Sequence, residues 1–219
     1  MGLRQELTVR RVEDEEARQR ALEVLGTVYL TEKGWVKDPE EIFPASDLDE
    51  SSNVSWFLAE RNNLPVGTTR VLYEIPVELY DAYQFDLVDP RIDVEAFLAN
   101  HKIAEVGRFA VIPEYRKKIL VAAILMRAAA TETVERQFTH FITDIFDADP
   151  NSPFKFHRRV LGFEVVATHE HGELQMKSKR ITMLLDLRAA YQRLKSGRNW
   201  IYRYITQGWN DQVFEKLSV

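Results

Sequence analysis

Apolar residues recur along this chain in two rhythms, and the change from one to the other outlines its elements. LTVRRV, from Leu7 to Val12, alternates as a strand does. DEEARQRALEVLGTVYLTEKG follows, with Asp14 placed to cap a helix and Ala17, Ala21, Leu22, Leu25, Val28 and Tyr29 forming one apolar stripe. A helix end is predicted near Gly34. Residues 35–53, WVKDPEEIFPASDLDESSN, are rich in proline, serine and acids, too polar and too interrupted for a core element, and read as a long loop of the kind that often serves as a lid. VSWFLAERNNLPVGTTRVLYEI then predicts two antiparallel strands about the turn Arg61-Asn62-Asn63-Leu64-Pro65. DAYQFDLVDPRIDVEAFLANH reads as an irregular insert with a short helix.

The second half is anchored by KIAEVGRFAVIPEYR. Ile103, Val106, Phe109, Val111 and Ile112 make a β-rich run that stops at Pro113, which has no N–H for a ladder. Ile119, Ala122, Ala123, Met126 and Ala130 then fall on one helical face. HFITDIFD is a buried strand, SPFKFHRRVLGFEVVATHEH a short helix from Ser152 to Gly162 followed by a strand, and ELQMKSKRITMLLDL the last strand. LRAAYQRLKSG is a helix ending at Gly197. This order predicts an α/β (α+β) domain over residues 1–197, a mixed, mostly antiparallel sheet with helices on both faces. Residues 198–219 carry Trp200, Ile201, Tyr204, Trp209 and Phe214, an aromatic appendage expected to pack on the domain or on a second subunit, which leaves a homodimer open.

Composition narrows the function. With 34 acidic and 29 basic residues the net charge is −5, which gives no electrostatic basis for nucleic acid as the main partner. There is no cysteine, so thiolate nucleophiles, disulfides and Cys-ligated metals are excluded, and the five histidines lack ligand spacing, so no metal is expected. No apolar segment suits a leader or a membrane span, and a cytoplasmic protein is expected. Arg116, Lys117 and Lys118 precede a helix start, where free amides and three cations can cradle a phosphate or simply solvate the surface. Gly107, inside a strand, fits a bulge, a close-approaching substrate or a packing constraint equally.

Three segments together resemble the GNAT (Gcn5-related N-acetyltransferase) superfamily from about Leu7 to Leu187: the hairpin FLAERNNLPVGTTRVL, the strand, break and helix AVIPEYRKKILVAAILMRAA, and FHRRVLGFEVV. Within it the chain is most similar to acyl-homoserine-lactone (autoinducer) synthases and long-chain N-acyl amino acid synthases. EVGRFAV resembles their Glu-x-Ser-Arg-Phe-x-Val strand, Gly34-Trp35 their Gly-Trp after the first helix, and Asp47 and Asp49 followed by Gly67 and Arg70 their acidic loop and arginine. The resemblance implies transfer of a fatty acyl group from the phosphopantetheine thioester of acyl carrier protein to the amine of an amino acid or related small molecule, with no permanently bound cofactor.

Several positions depart from the pattern. Arg116 to Val121 contains no glycine where common acetyltransferases have a glycine-rich pyrophosphate turn, which favours carrier protein over coenzyme A as donor. Leu25 stands where autoinducer synthases carry an arginine, and Gly107 replaces a serine, which favours an amino acid over S-adenosylmethionine as acceptor.

Residue roles follow from the resemblance. Glu105 is the general base, or an ion-pair partner of Arg108 or Arg70. Backbone amides of Phe109 to Val111 would stabilise the oxyanion if the strand bulges there. Arg70 and Arg108 would hold the acceptor carboxylate or the acidic loop, while Asp47 and Asp49 would bind its amino group, pair with the arginines, or stay solvated. Trp35 is a wall of the acceptor site or a loop anchor. Val111, Arg116, Lys117 and Lys118 would hold the donor. Phe138, Phe141, Ile145 and Phe146 would line an acyl channel or fill the core. KFHRRVLGF has no tyrosine for the leaving thiolate; His157 is the substitute acid or a surface histidine. The competing readings are a coenzyme-A-dependent acetyltransferase using acetyl-CoA or another acyl-CoA, and a non-catalytic domain that binds an acyl group or partner.

Overall fold

The computed structural model describes residues 6–49, 53–75, 85–170, 178–197 and 200–218. The end of the acidic loop at 50–52, residues 76–84 with the first four of the insert, the segment 171–177 and the appendage's first residues 198–199 lie outside them. Eight strands are hydrogen-bonded in the order β1-β2-β3-β5-β6-β8-β7-β4. They are β1 (Leu7–Arg11), β2 (Val54–Arg61), β3 (Leu64–Leu72), β4 (Asp86–Leu87), β5 (Ile103–Val111), β6 (His140–Phe146), β7 (Glu164–His169) and β8 (Arg180–Asp186). β5 and β6 pair in parallel. The pairs β1-β2, β2-β3, β6-β8, β7-β8 and β4-β7 are antiparallel, so the sheet is the mixed, mostly antiparallel one expected. The chain divides into two compact units, and β5 contributes to both: Val106 onward to the first, Ile103 to Glu105 to the second.

The first unit takes in β1 to β3, the second part of β5, and helix α3 (Ile119–Glu135) as far as Glu132. Helix α1 (Glu15–Leu25) begins where Asp14 accepts the Ala17 N–H at 2.7 Å. It continues into a π-helical turn, Gly26–Glu32, and the chain reverses at Gly34, whose φ of +62° suits glycine. Asn62 and Asn63, at φ +50° and +65°, make the two-residue turn between β2 and β3. Ser55 to Ala59 and Pro65 to Thr69 are buried without alternation, so β2 and β3 are covered on both faces. Gly67 lets α3 approach: a Cβ there would lie 3.0 Å from Val121 and 3.1 Å from Leu125 and the Ala110 carbonyl oxygen.

Residues 35–49 form the irregular loop expected, but part of it is buried. The acidic stretch is not excluded from the core, because its two short 3₁₀ turns, Pro39–Glu41 and Ala45–Leu48, flank Ile42 and Phe43, both buried. Two large apolar residues suffice to fold a polar segment down when the domain offers them a surface.

The second unit holds the first part of β5, β4, β6, β7, β8 and helices α2 (Val94–Asn100), α4 (Leu187–Ser196) and α6 (Asp211–Ser218). Asp186 caps α4 by accepting the Ala189 N–H at 2.9 Å. Helix α6 packs on α4, where Tyr191 meets the rings of Tyr202, Trp209 and Phe214 at 5.8, 6.3 and 6.2 Å. Ile201, Val213 and Leu217 are buried, and Lys216 Nζ donates to the Glu135 carbonyl at 2.8 Å. Helix α5 (Trp200–Ile205) runs through both units, and its Tyr204 belongs to the first, where the Arg127 guanidinium lies 5.2 Å from its ring centroid.

Candidate active site

β5 is the strand on which the expected chemistry falls. From Ile103 to Gly107 its residues alternate, with Ala104 and Val106 buried and Ile103, Glu105 and Gly107 half-buried. The alternation stops at Arg108, which adopts φ +50° inside the strand. A left-handed non-glycine residue interrupts regular strand geometry and costs on the order of 1–2 kcal/mol, so the surrounding structure must hold it. Buried Thr69 contributes by donating its hydroxyl to the Gly107 carbonyl at 3.0 Å. The break lies just before the Phe109 to Val111 amides.

The acidic loop of the first unit is held from beneath. Arg18, 3% exposed on α1, donates from Nε and Nη2 to the Phe43 carbonyl at 3.1 and 2.8 Å and from Nη1 to Glu15 at 2.8 Å. Phe43 stacks on Trp56 with centroids 4.2 Å apart and planes 9° apart. The Trp56 indole N–H donates to Asp47 Oδ2 at 2.8 Å, which ties this half-buried carboxylate to β2. Asp49 is exposed, and Arg70 and Arg108 are half-buried. Trp35 is half-buried, meets Tyr29 edge-on at 5.4 Å and has Lys33 Nζ 4.1 Å over its ring.

The three cations after β5 divide in role. Arg116 donates from Nε to the Val111 carbonyl at 2.9 Å, and its two terminal nitrogens form a bidentate pair with Glu32. That guanidinium therefore ties the turn after β5 to the π-helical turn, instead of standing open for an anion as expected. Lys117 and Lys118 are exposed, with Lys118 Nζ 4.4 Å over the Tyr115 ring. Ile119 and Leu120, the first residues of α3, are exposed beside them.

In the second unit Glu105 lies opposite Ile142 in the parallel register, which covers three residues of each strand. Phe141 is fully enclosed, while Phe146 is half-buried with the Arg180 guanidinium 4.8 Å from its centroid. His157 corrects both of its expected readings, because it is neither exposed nor presented as an acid. At 1% exposure it sits inside the π-helical turn Phe156–Leu161, its Nδ1 is 3.0 Å from the Pro153 carbonyl, and its own carbonyl accepts the Gly162 and Phe163 N–H groups at 2.8 and 3.0 Å. Burial pushes its pKa down to about 4. A ring that is neutral near pH 7 has no proton to lend a thiolate readily, and this one fills the core.

Sequence reading missed Trp56, Arg18 and Glu32. Arg18 shares the stripe of Leu22 and Leu25, and a lone arginine on an apolar stripe is a signal that could have been used. Trp56 carried no signal beyond ordinary strand composition. Among the described residues no group of three or more histidine, aspartate or glutamate side chains could hold a metal, and no helix is long and apolar enough to cross a membrane.

The strand order, with a left-handed break in β5 ahead of α3, defines the GNAT fold, and solved structures share it. FeeM, an N-acyl amino acid synthase from uncultured soil microbes, superposes with a TM-score of 0.66 at 17% identity, over 89% of this chain and 98% of FeeM. The yncA protein of Salmonella typhimurium, solved with its cofactor acetyl-CoA, gives 0.56 at 14% identity, over 83% of this chain and 94% of that one. The ribosomal-protein-S18-alanine N-acetyltransferase of Escherichia coli gives 0.54 at 12% identity, with the same coverages of 83% and 94%. None of the curated proteins matches at the sequence level. This is a GNAT-superfamily acyltransferase. Residues 20–181 match the sequence model of the FeeM N-acyl amino acid synthases, and the chain belongs to that family of N-acyltransferases.

Proposed function

We propose that the protein moves a fatty acyl group from the phosphopantetheine thioester of acyl carrier protein to the amine of an amino acid. The observation that carries the choice of donor is the turn after β5: it has no glycine, its arginine is engaged by Glu32 and Val111, and two exposed lysines and two exposed apolar residues follow. A glycine-free turn gives little room for a pyrophosphate, whereas exposed lysines beside apolar side chains suit an acidic protein surface and one phosphate.

In the reaction the acceptor nitrogen attacks the thioester carbonyl carbon. A carbon–nitrogen bond forms, the carbonyl oxygen gains negative charge, and the carbon–sulfur bond then breaks to release the pantetheine thiolate, which takes up a proton. Glu105 takes the proton from the attacking amine, directly or through one water. Amides beyond the break at Arg108 stabilise the oxyanion. Arg70 and Arg108 hold the acceptor carboxylate, and Asp47, Asp49 and Trp35 face its amino end. Val111, Lys117 and Lys118 hold the pantetheine arm, and Phe109 and Phe146 supply apolar surface for the tail, while Phe141, fully enclosed, belongs to the core. The leaving thiolate takes its proton from solvent, since His157 is enclosed. Carrier protein and free amino acids meet in the cytoplasm, where we place the reaction.

The test is mass spectrometry of organic extracts from a bacterial host expressing the protein, compared with Glu105→Gln expressed equally. New N-acyl amino acids that vanish in the variant are expected and would name both substrates. A host that makes none, together with purified protein that consumes acetyl-CoA, would transfer the reading to a coenzyme A donor like that of the yncA structure.

A further inference from the structure

Two of the points that fasten the acidic loop differ in kind. At Phe43 it is held through the backbone, by the two Arg18 hydrogen bonds to its carbonyl. At Asp47 it is held through a carboxylate, by the Trp56 indole N–H. Trp56 is 1% exposed on β2, a central strand, and its ring lies flat against Phe43, which is itself fully buried. Neither ring can tilt without opening the core. A phenylalanine would fill most of this space and stack as well; what only tryptophan adds is the N–H. A buried indole N–H needs an acceptor, and its acceptor here is the side chain of a half-buried residue on a four-residue 3₁₀ turn.

We propose that Trp56 is a positioning residue for acceptor recognition: its indole N–H fixes the place and angle of the Asp47 carboxylate, so that the acceptor's amino group meets a pre-set charge. This rests on the reading, made above, that Asp47 faces the acceptor. Without the indole N–H the carboxylate loses one restraint, and the ordering it supplied would fall to the substrate as a loss of affinity. The direction of the effect is therefore on acceptor binding, with the donor and the chemical step left alone.

The experiment compares Trp56→Phe, which keeps the stack and removes the donor, with Asp47→Asn, which keeps an oxygen for the indole and removes the charge. Turnover of tetradecanoyl-acyl carrier protein is followed with each of the twenty common L-amino acids singly. With those accepted, Trp56→Phe should raise the acceptor KM about tenfold, the scale of one charge-assisted hydrogen bond, with kcat and donor KM within about twofold. An acceptor KM unchanged in Trp56→Phe but raised in Asp47→Asn would overturn the inference and leave the acidic-loop reading standing. No change in Asp47→Asn, or no turnover with any of the twenty, would remove both. Both KM values rising together with a lower melting temperature would mark Trp56 as a packing residue and overturn the inference. Independently of turnover, the Trp56 indole N–H resonance, identified by its loss in Trp56→Phe, should be displaced in Asp47→Ala, which removes its acceptor. A resonance at the same position in Asp47→Ala and in the native protein would break the link.

Discussion

The two units use the same residue types to opposite ends. In the first, polar side chains hold loops: Asp47 takes the Trp56 N–H, Arg116 joins Glu32 to the Val111 carbonyl, and Arg18 secures Phe43. In the second, they are enclosed: the His157 and His169 rings are buried, with His169 Nε2 3.0 Å from Asp144 and Asp144 accepting the Thr182 hydroxyl at 2.7 Å. A histidine or an arginine thus has no fixed meaning here. In the first unit such side chains set the geometry of turns and loops; in the second they are satisfied within the fold.

The sharpest way to test that contrast is Glu105→Gln, since Glu105 closes the part of β5 assigned to the second unit yet is given a chemical role. Turnover should fall about a hundredfold or more, the usual weight of a positioned base, with donor KM unchanged in steady-state thioester-release assays. Full activity in that variant would return Glu105 to a structural part. Next in size is Phe141→Ala, which should cost about 3–5 kcal/mol in urea unfolding if Phe141 is as enclosed as it stands. A loss under about 1 kcal/mol would instead place it on the wall of an open channel.

His157 gives the third test. Its folded pKa lies below the unfolded value near 6.5, so the unfolded chain binds the proton more readily. The neutral ring's contribution is complete above about pH 6.5 and is lost as pH falls toward about 4, by on the order of 3 kcal/mol over that window. Stability measured by urea at pH 7 and pH 4.5 should fall less in His157→Asn than in the native protein; parallel profiles would break the assignment. The smallest expected effect belongs to the surface: Lys117→Glu with Lys118→Glu should raise the KM for acyl carrier protein several-fold and flatten its salt dependence, leaving folding intact. Indifference to that change would move donor docking elsewhere.

Much of the fold was legible because its signals are local. Asp14, the Asn62-Asn63 turn, Gly34, Gly162 and Gly197 each mark a boundary through one residue's backbone or capping preference, and each stands where expected. The site was legible as a set of positions and not as an arrangement. Asp47 could be named but not its partner, because Trp56 lies on a different element and looks like any strand aromatic. Arg116 could be named with its neighbours, but its capture by Glu32 depends on where the π-helical turn leaves that carboxylate, 84 residues earlier in the chain. His157 failed for the same reason: exposure is a property of what packs around a residue, and one position of uncertainty on a short helix exchanges core for solvent.

By itself the sequence determined most of the elements and their order, because propensity, periodicity and capping act over a few neighbouring positions, and its resemblance to a family supplied the candidate site residues. Only the tertiary structure decided which of those residues are fixed in place, which are enclosed, and where β5 departs from regular form at Arg108, because burial, hydrogen-bond pairing and a strained backbone angle all depend on atoms that distant parts of the chain supply.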